Sequence, residues 1–264
     1  MTEVRRIFDA EWVRHAREGN AMPNIPAMLV AAHDIRAQID ELLLRGRVQD
    51  SGEHRVAATL CLTIAEQFAA TLHLIEGGFS SHAPVMVRSM LEGHANLLNL
   101  VSDPAFVDQI RYDNARADVV LFTEYAADPE MQGNADAQET LAKWKADAEP
   151  VRDELEAKGY GKLDVYQRFK RANILSTYVA YRVFCSFAHN QLTTLLARHT
   201  DRFELRYHVE APKALTASLL NVAVSILCQA VVTASHYTDL TDAELRQVID
   251  AADATWSAAQ ALVE

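Results

Sequence analysis

An arginine and a histidine stand seven positions apart in the stretch 181-YRVFCSFAHN-190, with a serine between them. On a helix, positions i, i+4 and i+7 fall along one stripe, so Arg182, Ser186 and His189 would line a single face. The types suit acid/base chemistry on an anion. An imidazole gives or takes a proton near neutral pH, and a guanidinium steadies developing negative charge. Burying a guanidinium is costly unless it is paired and hydrogen-bonded. Arg182 therefore implies either a carboxylate partner or a solvent-filled cleft. The same residues also fit a satisfied structural network. Cys185, beside them, reads as a packed thiol.

Two elements must position this set. Periodicity predicts one helix over 173–199, in which Arg182 is the only charged residue between Asn173 and Ala197. A surface helix would show a charged face, so this one is expected to pack on most sides. Tyr178, Arg182, Ser186, His189 and Thr193 fall in a sector of roughly 80° at helical spacing. The expected partner is the helix 81–101. Its apolar stripe includes Val87, Met90, Leu91 and His94, and Arg88, Glu92 and Asn96 lie opposite. That trio is either a solvated face with an i, i+4 ion pair worth a few tenths of a kcal/mol, or it packs on the Arg182 helix. In the second case Glu92 neutralises Arg182 or Arg88. Just upstream, 168-RFKR-171 interleaves cations and aromatics. It reads as a basic solvated turn or as a hold for a phosphate backbone.

Composition narrows the classes. The chain has 264 residues, 50% of them hydrophobic, with few Gly (9) and Pro (7) and a formal net charge of −11. A core of good size is available, and neither disorder nor a many-turned β protein is indicated. The acidic balance repels nucleic acid at long range, so no general DNA binder is expected. Cys61, Cys185 and Cys228 are far apart and form no disulfide or metal spacing, which fits a reduced, cytoplasmic setting. No metal site or cofactor motif appears, and none is expected. Residues 1–19 are charged and lack the apolar region of a signal peptide. Residues 214–237 carry no Asp, Glu, Lys or Arg. They are long enough to span a bilayer, but Asn221, Gln229 and several Ser and Thr favour a buried core helix over a membrane segment.

Helices are expected near 3–19, 26–46, 53–77, 81–101, 104–127, 135–158, 173–199, 212–237 and 241–262. Gly77-Gly78 ends the third. Ser80 or Ser81 caps the fourth, Asp103 with Pro104 starts the fifth, and Thr241 with Glu244 forms a capping box for the last. Only 202-RFELRYHVE-210 alternates as a strand, so a short hairpin arm or an extended connection is expected there. The fold class is all-α: a single bundle of about eight or nine helices, with residues 1–50 as peripheral helices and 51–264 as the main unit.

The run GGFSSHAPVMVRSMLEGHANLLNLVSDP, followed later by YVAYRVFCSFAHNQ, resembles the bacterial domain of unknown function 5677. The shared pattern is R-S-x-x-E-x-x-x-N and a later Ser-x-x-His, here Arg88, Ser89, Glu92, Asn96, Ser186 and His189. It covers roughly residues 55–200 and groups the two helices, with no activity attached. Arg182 and His189 also resemble the R-x(4–6)-H element of HEPN ribonucleases (higher eukaryotes and prokaryotes nucleotide-binding domains). That resemblance implies a homodimer and metal-independent cleavage of RNA across the dimer cleft. His189 would move the proton at the ribose 2′-hydroxyl, and Arg182 would steady the phosphate. Here Val183 stands where those proteins usually have a polar residue. The alternative is a non-enzymatic helical module that binds a ligand or a protein.

Overall fold

The computed structural model describes residues 22–201, 204–207, 209 and 211–263. The expected helix 3–19 lies outside them. Eleven α-helices are described. They are α1 (Ile25–Arg45), α2 (Gly52–Glu76), α3 (Pro84–Ser102), α4 (Phe106–Ala127), α5 (Pro129–Gln132), α6 (Ala135–Ala157), α7 (Val165–Arg171), α8 (Tyr178–Ala188), α9 (Leu192–His199), α10 (Lys213–Val231) and α11 (Asp242–Gln260). The only strands among the described residues are β1 (Thr200–Asp201) and β2 (Glu204–Leu205), an antiparallel pair with Thr200 opposite Leu205. The fold is all-α, and the alternating stretch makes a minimal hairpin.

Local chemistry accounts for the boundaries. Asn24 accepts from Ala27 N at the start of α1, and Ser51 from His54 N at the start of α2. Thr241 and Glu244 cap each other reciprocally at α11. At two starts the expected caps are replaced. α3 begins behind Ala83 with Pro84 in its first turn and no side-chain cap. Asp103 does not cap α4; it stands two residues before the N-cap Ala105, whose N–H its carboxylate accepts at 3.1 Å.

α10 is the central helix. Leu219, Leu220, Ala223, Leu227, Ala230 and Val231 are all buried, and it packs on α1, α2 and α3. Two described segments, Gly52–Glu76 and Lys213–His236, are long and apolar enough to cross a bilayer. The second is mostly buried within the protein, which accounts for its missing charges. α1 buries Met28, Ile35, Ile39 and Leu42 in the same core and packs on α11. α4 and α6 pair with each other in an antiparallel arm. Beyond its base the arm buries little, and α6 contributes only Leu141 and Leu155.

The predicted helix 173–199 is not continuous. α7 ends before Asn173 (φ 57°), a short 3-10 turn covers Leu175–Thr177, and α8 ends before Asn190 (φ 49°). Asparagine enters the left-handed region at lower cost than other non-glycine residues, and it terminates a helix there. The amide of Gln191 returns to Ser186 O at 3.1 Å, closing the end of α8. α9 then leaves in a new direction.

Candidate functional site: the two sides of helix α8

The inner side of α8 meets α3. Arg88 and Glu92 are one turn apart on α3, and Tyr181 of α8 reaches between them. Arg88 Nη2 donates to Glu92 Oε1 at 2.8 Å, and the Tyr181 hydroxyl donates to the same oxygen at 2.8 Å. Arg88 Nη2 lies 3.4 Å from that hydroxyl, and the guanidinium sits 5.5 Å from the Tyr181 ring centre. Burial pushes the Tyr181 phenol up; Arg88 pulls it back, and hydrogen bonding to Cys185 and Glu92 adds to the rise. Burial works against the charge on Arg88, but Tyr181 and Glu92 outweigh it and raise its pKa. Arg88 is therefore held charged, and the triad with Tyr181 joins two helices. Ser89 accepts from Gln67 Nε2 at 2.8 Å, which ties α2 to the same region.

Asn96, two turns further along α3, belongs to a second network. It accepts from Arg168 Nη1 at 3.1 Å, while Arg168 Nη2 pairs with Asp113 at 2.8 Å. Arg171 pairs with Asp103 at 2.6 Å and lies over the Phe106 ring. Two of the three cations in 168–171 are thus spent within the chain, and Lys170 alone of the three has no such partner among the described residues. Tyr178 joins an aromatic stack with Tyr166, Phe169 and Tyr181, at ring separations of 5.2–5.8 Å.

The outer side of α8 differs from expectation. Arg182 is exposed, not packed, and Glu92 neutralises Arg88 instead. Val179 and Val183 flank it at 71% and 48% exposure. His189 is exposed at the C-cap, just past the last helical turn. Among the described residues, neither Arg182 nor His189 has a side-chain hydrogen bond or ion pair. Ser186 does not join them. Its hydroxyl donates to Val183 O at 2.6 Å and accepts from Thr194 at 3.2 Å, so it serves the corner between α8 and α9. The side chain of Thr193 is outside what is described.

The expected single polar cluster therefore resolves into three groups: the Arg88–Glu92–Tyr181 triad, the Arg168–Asp113–Asn96 network, and the solvent-facing Arg182 and His189. Sequence reasoning missed two residues. Tyr181 was masked by its neighbour Arg182, although a tyrosine one position off the polar stripe faces the α3 side. The buried arginine of the region is Arg198, at 6% exposure. It lies just beyond the charge-free window, in the last turn of α9. Two clefts lie elsewhere, about 520 Å³ between α1, α2 and α10 and about 610 Å³ between α4 and α6.

Residues 54–206, more than half of the chain, match the family of unknown function DUF5677. The chain belongs to this family. No curated protein and no solved structure matches it. The DUF5677 segment runs from the first turns of α2 past β2, so it contains both sides of α8 and all three groups. Of the residues carrying the family pattern, Arg88, Ser89, Glu92 and Asn96 hold α3 to its neighbours and Ser186 holds a corner. Within the pattern, only His189 has a side chain with no described partner.

Proposed function

We propose that the outer side of α8 is the working surface of this protein and that it carries metal-independent cleavage of RNA. In this reading His189 moves the proton at the 2′-hydroxyl and Arg182 steadies the phosphate. One observation carries it: both side chains are exposed on α8 and its C-cap, and neither is spent on a partner among the described residues. The electrostatics support the reading. Residues 165–200 hold five Lys and Arg and no Asp or Glu, in a chain with 36 acidic and 25 basic residues. Arg168 and Arg171 are paired with Asp113 and Asp103 and Arg198 is buried, so Lys170 and Arg182 are the cations of this stretch left to meet an anionic ligand. The reading carries with it a cytoplasmic protein working as a homodimer, without DNA or membrane as partner.

The test is cleavage of a mixed RNA pool with EDTA present, by the parent, His189→Ala and Arg182→Ala, after all three are shown to fold. General acid/base groups contribute about 10²–10⁴-fold, so a loss of at least about a hundredfold is expected in His189→Ala. Equal cleavage by parent and His189→Ala would sink the assignment.

A second reading draws on Val179 and Val183 of α8, exposed at 71% and 48%, and on Leu192 and Leu196 of α9, exposed at 70% and 50%. Apolar side chains grouped on one exposed face mark association surfaces. Here the same face would bind a protein, in a regulatory module without catalysis. A parent that cleaves no RNA, while Leu192→Asp abolishes self-association, would favour this reading.

A further inference from the structure

Arg198 is the one buried arginine among the described residues, and no described carboxylate pairs with it. Burial lowers its pKa, as expected for a cation without a counter-charge. Four of the five N–H donors of its guanidinium are nevertheless used. Nε and Nη2 both donate to Ser81 O, at 3.2 and 3.0 Å, Nη1 donates to Asn190 Oδ1 at 3.1 Å, and Nη2 donates to Phe187 O at 3.2 Å. The guanidinium also lies 5.6 Å from the Phe187 ring centre.

The placement of these acceptors is specific. Phe187 O is one of the open carbonyls at the end of α8, where a cation is favoured by the helix dipole. Asn190 is the left-handed residue that ends the helix. Ser81 belongs to the turn between α2 and α3, so the fork ties the corner to the main bundle. His189 lies between Phe187 and Asn190, and its backbone is held on both sides. Its own amide returns to Cys185 O at 3.0 Å. Its ring alone is left without a partner among the described residues.

We infer that Arg198 is the positioning residue for His189: it fixes the corner of α8 and α9 so that a free imidazole is presented at a set place on the outer surface. A planar fork is required, because three acceptors in different directions are met at once. A lysine carries the same charge but presents a single point. The inference rests on the outer side of α8 being the working surface, and the test separates the two.

The experiment compares the full-length parent with Arg198→Lys and Asn190→Gly. Glycine keeps the left-handed backbone and removes one acceptor. Hydrogen exchange of residues 186–192 and the imidazole resonance of His189, assigned by its loss in His189→Gln, are read in protein shown to be folded. Exchange at 186–192 at least tenfold faster in Arg198→Lys, with a displaced or broadened His189 resonance and the other histidine signals unmoved, is the expected result. A smaller change in the same signals is expected in Asn190→Gly. Where the parent cleaves RNA, kcat should fall in Arg198→Lys with KM little changed. Exchange and His189 resonance like the parent's in folded Arg198→Lys would overturn the inference, as would unchanged kcat beside an active parent. An inactive parent would remove the catalytic reading, while the resonance and exchange still decide whether Arg198 sets His189.

Discussion

The two sides of α8 spend their polar groups in opposite ways. On the inner side, Arg88, Glu92 and the Tyr181 hydroxyl satisfy one another across two helices. On the outer side, Arg182 and His189 are paired with nothing described. Both sides carry an arginine that an inspection of charge alone treats alike. The difference shows that a polar residue on an apolar helix can be a strut or a tool, and that its partner decides which. It also sets an order of expected effects. Changes on the inner side should act on stability, and changes on the outer side should leave stability alone.

The largest effect is expected from truncating the apolar part of the inner side. Phe184 is 5% exposed and belongs to the main core. Phe184→Ala removes a large buried ring and leaves a cavity, so a loss of about 3–5 kcal/mol is expected in urea unfolding. A cost below about 1 kcal/mol, the scale of a surface site, would break the distinction between the two sides.

Acid should act next, through α3. His94 is 2% exposed and its Nε2 has no hydrogen-bond partner. Burial pushes its imidazole down to about 4, below the ordinary value of 6.5. The unfolded chain therefore binds the proton more readily than the folded one. The associated stability is full above pH 6.5 and is lost as pH falls through that value toward about 4. Such a shift corresponds to roughly 3 kcal/mol. Urea midpoints measured between pH 7 and pH 4 should fall accordingly, and His94→Leu should flatten that part of the slope. A His94→Leu protein with the parent's full acid sensitivity would place the effect elsewhere.

The triad itself should contribute less. Glu92→Ala takes the shared acceptor from both Arg88 and Tyr181, a change worth about 1–3 kcal/mol for buried groups. The Arg88 and Glu92 side chains are 25% and 35% exposed, so solvent screens the loss and the lower end is expected. Glu92→Gln keeps an acceptor for the phenol and should recover part of the loss. Equal melting temperatures for the parent and both variants would mean that the triad does not hold α3 to α8.

Much of the architecture was legible in the sequence. Apolar spacing placed α1 to α4, α6, α10 and α11 within a few residues, because each is long and its buried face repeats at helical period. The capping box at Thr241 was legible because its two residues stand only three positions apart in the chain. The breaks at Asn173 and Asn190 were not. Neither has a glycine or proline beside it to mark a break, and Asn190 is held by a tertiary contact from Arg198. The missing charges of 173–197 were read as burial on most sides. In the structure that segment turns twice and leaves valines and leucines at the surface, so low charge there reflects an exposed apolar face. Pairing was the least legible property. Glu92 lies four residues from Arg88 and, on α8, its partner is Tyr181, not the arginine next to it.

The smallest stability effects should come from the outer side, and there the comparison becomes sharpest. Arg182→Ala and His189→Ala remove exposed side chains that touch no described polar partner, so each should shift unfolding by no more than about 0.5 kcal/mol. A structural residue cannot be both free of cost and needed. If these two variants melt with the parent yet lose RNA cleavage, their chemistry is directed outward, as a catalytic pair requires. If either costs 2 kcal/mol or more, the side chain has a partner within the fold and belongs with Arg88 and Glu92 as a strut. Thermal unfolding of the two variants beside Glu92→Ala, at equal protein concentration and at several concentrations, also separates folding from self-association. A cost that shrinks with dilution comes from a second copy and not from α3.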